Sequence, residues 1–513
     1  MLRLTNRSWD LCSYGLLFLY AFFQILQWPL LPRFVDIYYH LGVVKGFADA
    51  GGYVSTALWE NAPAGRPHLY PPLLHAILLL FYKAGLPFIT LARGVDCVSY
   101  PLFLFSFHYV ISRLYTKRFA FISLFILSSV YSLMLASVTL STFNLAFILV
   151  LFAFLQMEKM NAVAAGLCLA LCFYTHTLIG WLGLCPLFIY GALKPERRSC
   201  ALKAAILSLV LASPFLMLQF HHRASFALVE VYETKLWEVD LTLWALALCG
   251  LVSLLLRKEL KDKPVFLALF FGFFPLLFSH PPRYLSGHGM IGAILLAAHF
   301  VDDLLSKALE KNKVTPAFTV LLILAGFFIT FLAPVWEWNR PAQTQKTVWG
   351  ERTLTRSLFF GADRIFRANS FSIYSSNGYG QIADVIKKSS EPDDILWADF
   401  SYAAGILSMM SDRATSSAML AEVRPFEKRD EMRDARILVW FKDEKGNPIP
   451  EMKHFIERYH LSLLKETDLA FVLLNPSGYA KSVRQSPLIP TVLLECLLFF
   501  TGFLLWRVTR RKR

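Results

Sequence analysis

Long apolar runs separated by short polar intervals are the main feature of this 513-residue chain. The runs recur from Leu11 onward, and a helix needs about 20 apolar residues to cross the hydrocarbon core of a bilayer. The pattern predicts a mainly α-helical, polytopic membrane protein with about 12 transmembrane helices. The predicted spans are 11–32, 95–112, 119–137, 144–158, 162–175, 178–193, 204–219, 240–256, 264–280, 288–302, 315–335 and 488–506.

The segment 71–90 is apolar enough to cross, but it contains His75 and Lys83. If it does not cross, the Lys and Arg clusters between the later apolar runs lie on the same side as Arg3 and Arg7. All of these clusters then lie in cytoplasmic loops, where Lys and Arg are normally in excess. We therefore interpret 71–90 as an interfacial or re-entrant helix and expect both termini to be cytoplasmic.

Composition and charge narrow the class of protein further. Hydrophobic residues make up 56% of the chain and charged residues 17%, with a net charge of +14. Because Lys and Arg form short clusters between apolar runs, the charge indicates membrane orientation and no nucleic-acid partner. The eight cysteines lie in or beside apolar runs without a CxxC pair, which indicates neither disulfides nor a zinc site. The first apolar run is too long for a cleaved signal peptide, so we expect an uncleaved signal anchor.

The first polar interval, 33–75, contains the strongest candidates for functional residues. Asp36 and His40 are four positions apart, and apolar residues recur around them at helical spacing. The spacing predicts a short helix that ends at Gly51 and presents both side chains on one face. The alternative is that Asp36 only caps this helix and His40 is an interfacial polar residue.

The predicted topology collects further polar residues on the same, external side. Each one alone is explained by solvation or by contact with lipid headgroups, but together they predict a site at the outer membrane surface. The set comprises the turn 141–144, Thr175, His176, Thr177, His221, His222, Glu230, Glu233, Glu238, His280, Arg283 and His288.

The segment 338–487 alternates helical and strand patterns and predicts a small α/β domain outside the membrane. We expect helices at 378–388 and 403–410 and strands at 393–400, 435–441 and 469–474. The segment has no glycine-rich phosphate loop and no nucleophile triad. The predicted organisation has three parts: a transmembrane domain 1–337 that includes the external loop 33–94, the external domain 338–487, and a final transmembrane helix with a basic cytoplasmic tail, 488–513.

Several of these features together resemble a known family. The first loop opens on D-I-Y-Y-H-L at Asp36 and closes on Y-P-P-L before the interfacial helix, and Arg283 and an outer C-terminal domain follow. This arrangement resembles the GT-C superfamily of membrane glycosyltransferases, especially the Stt3/AglB oligosaccharyltransferase branch, over most of the chain. The resemblance implies a GT-C-like fold. It also implies that Asp36 matches the carboxylate that binds the acceptor and an activating metal in that branch.

A second part of the resemblance lies in the C-terminal domain. The branch carries W-W-D-Y-G there, and this chain has W-A-D-F-S from Trp397 to Ser401. The resemblance implies that Trp397, Asp399 and Phe400 recognise the acceptor. The chain departs from the branch at 141–144, where S-T-F-N has no carboxylate in place of a second acidic motif.

The chemistry implied by the family can be assigned to residues. Displacing a polyprenyl phosphate from a sugar requires a carboxylate that holds and deprotonates the acceptor and cations that stabilise the leaving phosphate. The expected catalytic residues are Asp36 and His40. For the donor phosphate we expect Arg283 first, because a guanidinium binds phosphate oxygens in two-pronged fashion. Arg66 and His68 are reserves, although an ordinary turn also explains that stretch.

The cofactor and partners follow from the same hypothesis. A divalent metal, Mg²⁺ or Mn²⁺, would use Asp36, His176 and Glu230, although their spacing does not require one. The expected partners are a polyprenyl-linked sugar donor, a protein or glycan acceptor, and membrane lipids. If Asp36 only caps its helix, the carboxylate would be Glu230, Glu233 or Glu60.

The functional hypothesis is a glycosyltransferase of the cell membrane. It would move a sugar or oligosaccharide from a polyprenyl-phosphate or polyprenyl-diphosphate donor to an acceptor on the non-cytoplasmic face. One alternative is a lipid or solute transporter or flippase, although the chain has no internal repeat of the kind common in transporters. The other is a catalytically inactive GT-C relative, which the missing second acidic motif leaves open.

Overall fold

The structure is a computed structural model, and it describes most of the chain. The described residues are 5–32, 36–130, 133–134, 141–226, 236–258, 263–310, 334–339, 344–349, 378–399, 401–419, 423–443, 446–448, 450–483 and 485–510.

Helices dominate the chain up to residue 310. They are α1 Asn6–Leu26, α2 Asp36–Ala50, α3 Leu73–Lys83, α4 Phe88–Leu114, α5 Lys117–Ser129, α6 Ser141–Glu158, α7 Ala162–Phe173, α8 Thr177–Leu193, α9 Arg198–His221, α10 Leu241–Arg257, α11 Pro264–Gly272, α12 Pro275–Ser279 and α13 Met290–Glu310. A three-residue turn, Pro281–Arg283, and a π-helical turn, Tyr284–His288, lead into α13.

Side-chain caps fix where several of these helices begin. Thr5, Thr116, Asn161 and Asp240 each accept a hydrogen bond from a backbone N–H in the first turn of α1, α5, α7 and α10, respectively. Such caps satisfy N–H groups that have no partner inside the helix. The beginnings of these helices are therefore determined locally.

The helix positions agree with the predicted spans in most of the chain. A helix lies at eleven of the twelve predicted spans. The remaining one, 315–335, lies outside the described residues except for 334 and 335, which begin a strand. Within the described residues, three helical stretches are long and apolar enough to cross a membrane: α1, α4, and α9 with its preceding turn. The helices support a membrane protein, and the number and direction of crossings stay a prediction.

The predicted interfacial segment is a short helix followed by a turn. α3 has 11 residues, and at 1.5 Å per residue it is about 16 Å long, roughly half the hydrocarbon thickness. α4 begins at Phe88, seven residues before the predicted span. Pro87 precedes it in extended conformation. Proline is tolerated at the start of a helix because a backbone N–H there would have no acceptor within the helix.

The helices before residue 310 pack through a common core. The stretch 290–299 of α13 is buried, and it lies between α5, α10 and α11. A Cβ at Gly250 of α10 would stand 2.0 Å from the carbonyl oxygen of Leu296 in α13. Because lipid is as apolar as the helices, close contact of this kind contributes to helix association in membranes.

The C-terminal segment combines strands and helices, as predicted. Its five-stranded sheet has the order β10-β11-β9-β7-β8, with β7 parallel to β8 and β9 and the other pairs antiparallel. The strands are β7 Ile395–Ala398, β8 Ala414–Thr415, β9 Ile437–Phe441, β10 Ser462–Glu466 and β11 Ala470–Leu474. The helices are α14 Tyr379–Ser389, α15 Ser401–Ser411, α16 Glu431–Asp434, α17 Pro450–Tyr459 and the terminal α18 Thr491–Arg510.

Short strands connect distant parts of the chain. β1 Gly52–Tyr53 pairs with β12 Ile489–Pro490, and β2 Thr56–Ala57 pairs with β3 Arg66–Pro67 within the first loop. A separate antiparallel sheet joins β4 Leu236–Asp240, β5 Pro334–Asn339 and β6 Thr344–Trp349. The first loop is thus joined to the chain just before α18.

Helix α2 is buried between the two halves of the protein. Ile37 and Leu41 pack in one hydrophobic cluster with Ile382 of α14 and Leu407 of α15. Its other side packs against α3. Although α2 belongs to the first loop in sequence, it shares its core with the C-terminal segment.

Candidate active site

The helix predicted around Asp36 is present. α2 begins at Asp36, and it ends before Gly51, whose φ of +81° is the left-handed conformation that commonly terminates helices. Asp36 is half-buried in the first turn, and His40 is buried one turn later. The carboxylate and the imidazole therefore lie on neighbouring turns of one helix, as the spacing predicts.

His40 has a partner that the sequence analysis did not assign to the site. Its Nδ1 lies 2.9 Å from Nε2 of His75, which α3 supplies. The ring of Tyr70 lies 5.2 Å from the His40 ring, and its hydroxyl is 3.0 Å from Oγ1 of Thr142. The only sequence signal for His75 is a histidine in an apolar run, which also fits a simple structural residue.

The end of the first loop is attached to the neighbouring helices. Gln219 Nε2 donates to the carbonyl oxygen of Leu69 and to Oγ1 of Thr177, each at 2.9 Å. The Leu73 N–H donates to the carbonyl oxygen of Tyr174 at 2.8 Å. These bonds hold the stretch before α3 against the turn between α7 and α8, where His176 lies.

Arg283 lies in a group with two histidines. Nδ1 of His288 is 3.2 Å from the carbonyl oxygen of Arg283. Burial and the Arg283 charge lower the pKa of His176 to about 4. The Arg283 charge is thus close enough to act on the His176 ring, and the sequence analysis did not assign His288 a role.

His176 also links this group to α2. Burial, with a smaller contribution from His176, lowers the pKa of His40 to about 3. Nδ1 of His176 accepts a hydrogen bond from the Ile179 N–H at 3.4 Å, so the ring caps α8. The helix that carries Asp36 and the turn that carries Arg283 therefore converge on His176.

Arg66 and His68 lie in the interior. Both side chains are fully buried, and Nη2 of Arg66 donates to Oε1 of Glu60 at 2.6 Å. Burial opposes the charge of Arg66, but Glu60 and Tyr39 outweigh it and raise the pKa of Arg66. The positive charge of Arg66 is therefore already compensated, and its predicted role in donor binding stays a prediction, as does that of His68.

The predicted acceptor residues are placed in the C-terminal sheet. Trp397 is buried in β7 and packs against Trp440 at a tilted angle, with ring centroids 5.0 Å apart. Oδ2 of Asp399 accepts from the Phe441 N–H at 3.1 Å, and burial raises the pKa of Asp399 to about 6. Phe400 lies outside the described residues. The observed contacts are structural, and acceptor recognition by these residues stays a prediction.

The predicted metal ligands do not form a set among the described residues. Glu230 and Glu233 lie in 227–235, outside the described part of the chain. In the part that is described, no group of three His, Cys, Asp or Glu side chains could hold a metal ion. Because Glu230 is not described, a metal site at Asp36, His176 and Glu230 stays a prediction, and we assign no step to a metal.

Comparisons of sequence give no match: no family model matches the chain, and no curated protein is similar to it. Solved structures do match. The apo oligosaccharyltransferase of Archaeoglobus fulgidus aligns with a TM-score of 0.52 and 11% identity, over 80% of this chain and 65% of that one. The AglB complex with an inhibitory peptide and a dolichol-phosphate, from the same organism, gives a TM-score of 0.51 and 10% identity over 84% and 69%.

A further match is ArnT from Cupriavidus metallidurans bound to undecaprenyl phosphate, with a TM-score of 0.46 and 14% identity over 87% of this chain and 98% of that one. The chain spans 64% of the length of the Archaeoglobus fulgidus enzyme in its complex with Zn and sulfate. At these identities the similarity concerns the fold. The chain has the fold of the GT-C glycosyltransferases, which its sequence resembles.

Proposed function

We propose that this protein is a membrane glycosyltransferase. It transfers a sugar or oligosaccharide from a polyprenyl-phosphate or polyprenyl-diphosphate donor to an acceptor on the non-cytoplasmic face. The observation that carries the proposal is the convergence on His176 of His40, which lies one turn after Asp36 in α2, and Arg283, from the turn before α13. A carboxylate on that helix and a phosphate-binding cation suit displacement of a phosphate from a sugar.

The proposed reaction is a displacement at the anomeric carbon. The acceptor atom forms a bond to that carbon, and the bond from the carbon to the phosphate oxygen breaks, with its electron pair leaving on the phosphate. Asp36 takes the proton from the acceptor as it attacks. Arg283 stabilises the charge on the departing phosphate, for which its planar guanidinium is well suited.

The histidines of the candidate site fit a different role. Burial keeps His40 and His176 neutral near pH 7, since their pKa values are lowered to about 3 and 4. Neutral imidazoles form hydrogen bonds without adding positive charge. Arg283 therefore supplies the positive charge for the donor phosphate.

The similar solved structures support the choice of donor. AglB is seen with a dolichol-phosphate and an inhibitory peptide. A polyprenyl phosphate fits a chain whose predicted active site lies at the membrane surface. A peptide or glycan acceptor and a role for Trp397, Asp399 and Phe400 in binding it remain part of the proposal.

The test uses the purified protein in lipid nanodiscs with labelled polyprenyl-phosphate and polyprenyl-diphosphate sugars. Asn caps a helix about as well as Asp, so Asp36→Asn separates a capping role from a catalytic one. We expect this variant to insert normally and bind donor but to transfer almost nothing. Asp49→Asn is the matched control, because Asp49 is on the same helix and pairs with Lys45.

The donor side is tested by Arg283→Lys and Arg283→Ala. Lys keeps the charge but loses the guanidinium fork, so we expect a smaller loss than with Ala, where about 2 to 4 kcal/mol of transition-state stabilisation disappears. Mass spectrometry of glycans and glycoproteins from a deletion strain identifies the product. Absence of transfer by the wild-type protein with every donor would refute the proposed function. Full transfer by Asp36→Asn would refute the catalytic role of Asp36 and leave Glu230, Glu233 or Glu60 as the carboxylate.

A further inference from the structure

The first loop adds a strand-like segment to the edge of the C-terminal sheet. Strand β8 pairs with β7 on one side. On its other side, Thr415 N–H donates to the carbonyl oxygen of Trp59, and Ala62 N–H donates to the carbonyl oxygen of Thr415, each at 3.0 Å. Asn61 N–H donates to the carbonyl oxygen of Ser417 at 3.3 Å. The loop therefore covers a sheet edge that would otherwise have unpaired backbone groups.

A buried ion pair lies directly beside this junction. Glu60 and Arg66 side chains are both fully buried, with Nη2 of Arg66 2.6 Å from Oε1 of Glu60. The other carboxylate oxygen, Oε2, accepts from the Met419 N–H at 2.9 Å. Nη2 of Arg66 also donates to the hydroxyl of Tyr39 at 3.3 Å.

These contacts form a continuous chain from the C-terminal segment to α2. The chain runs from Met419 through Glu60 and Arg66 to Tyr39, and Tyr39 directly precedes His40. The Tyr39 and His40 rings are 5.4 Å apart. A shift of the ion pair would therefore move Tyr39, next to the proposed catalytic residues of α2.

A gain in stability alone does not account for this buried ion pair. Removing two charges from water is costly, and a well-packed apolar pair of similar size is often as stable as a buried ion pair. A buried ion pair does impose one geometry, because both charges need their partners. A role in orienting α2 is consistent with this requirement.

We propose that Glu60 and Arg66 are positioning residues that orient α2, so that the C-terminal segment controls the placement of Asp36 and His40. This inference rests on the proposed function. It assigns the C-terminal segment an effect on the rate of transfer through α2, in addition to acceptor binding. It also explains why a charged pair is kept in the interior of the first loop.

The test removes both charges together, because removal of one leaves the other buried without compensation and can prevent folding. The variant is Glu60→Gln with Arg66→Met, in which Gln still accepts from the Met419 N–H. The matched control is Lys442→Met with Glu466→Gln, an ion pair of the same 2.6 Å length that joins β10 to the end of β9 and has an exposed carboxylate.

Two readouts separate positioning from a general structural role. We expect kcat of the Glu60→Gln, Arg66→Met variant to fall by about 10- to 100-fold while the donor KM changes by less than about twofold, because misplaced groups slow the chemical step more than binding. Deuterium uptake by 36–50 should become faster. Both quantities should stay at the wild-type value in the control.

A wild-type kcat in the charge-free variant would overturn the inference, as would an equal loss in the control. If the wild-type protein transfers no sugar from any donor, the proposed function fails. Deuterium uptake then decides the positioning role alone, and unchanged uptake by 36–50 overturns it.

Discussion

At the scale of single residues, the interior of the first loop is marked by buried histidines that stay neutral. His40, His68 and His75 lie within one aromatic cluster, and burial lowers the pKa of each. For His68 the pKa is about 3, with Arg66 as a smaller cause, and neither ring nitrogen has a hydrogen-bond partner among the described residues. Such residues make the folded protein sensitive to acid.

The sign of this effect follows from proton binding. Between pH 6.5 and about 3 the unfolded chain binds a proton at His68 that the folded protein does not bind. Stability is therefore fully present above pH 6.5 and falls as the pH decreases, by up to about 1.4 kcal/mol per pH unit for this one group.

His68→Phe tests this expectation. Phe keeps an aromatic ring beside Phe47 and Trp59 and removes the titrating group. We expect the variant to lose less stability than wild type between pH 6.5 and 4.5, as measured by thermal unfolding in detergent. The exposed His454→Phe is the control and should keep the wild-type pH dependence. An identical pH profile for His68→Phe and wild type would contradict the assignment.

At the scale of secondary-structure elements, α2 depends on close contact with its neighbours. A Cβ at Gly46 would stand 2.0 Å from the ring of Trp59, and one at Gly42 would stand 3.2 Å from the sulfur of Met419. Two glycines one turn apart thus let Trp59 and Met419 approach the helix. The same face carries Lys45, which pairs with Asp412 at the end of α15 at 2.6 Å.

Gly46→Ala should displace the Trp59 ring and loosen α2. We expect a loss of about 1 to 3 kcal/mol of stability, the usual cost of overpacking, visible as a lower unfolding temperature and a change in tryptophan fluorescence. Gly15→Ala, in α1, is the matched control because a Cβ there meets nothing within 4 Å. Equal effects of the two substitutions would show that the contact with Trp59 is not tight.

At the scale of the whole molecule, orientation in the membrane decides whether the proposed site faces one compartment. The positive clusters predict that the loop after α6 is in the cytoplasm and the C-terminal segment outside. The short length of α3 is consistent with a helix that does not cross. With this topology, Asp36 and Arg283 are predicted to face the external side.

Cysteine labelling in intact cells or sealed vesicles tests the orientation. In a variant without the eight native cysteines, Lys159→Cys should react only from the cytoplasm and Tyr479→Cys only from outside. Both positions are exposed, and 78% of Tyr479 is accessible. The reverse labelling pattern would mean that 71–90 crosses the membrane.

The sequence by itself determined much of the local structure. Helical periodicity identified α2 and the pairing of Asp36 and His40 on neighbouring turns, and strand patterns identified β7, β9 and β11. These features depend on residues a few positions apart. A period of 3.6 or 2 in apolar residues is visible without knowledge of the rest of the chain.

The tertiary structure alone decided which distant groups meet. In the sequence, Arg66 is a reserve for the donor phosphate and Glu60 an alternative carboxylate, with no sign that they pair. In the structure both are buried together, and Glu60 accepts from the backbone of Met419, 359 positions away. The same holds for His75 as the partner of His40. A charge can be buried only where packing supplies its partner, and periodicity along the chain carries no information about a partner that folding brings from elsewhere.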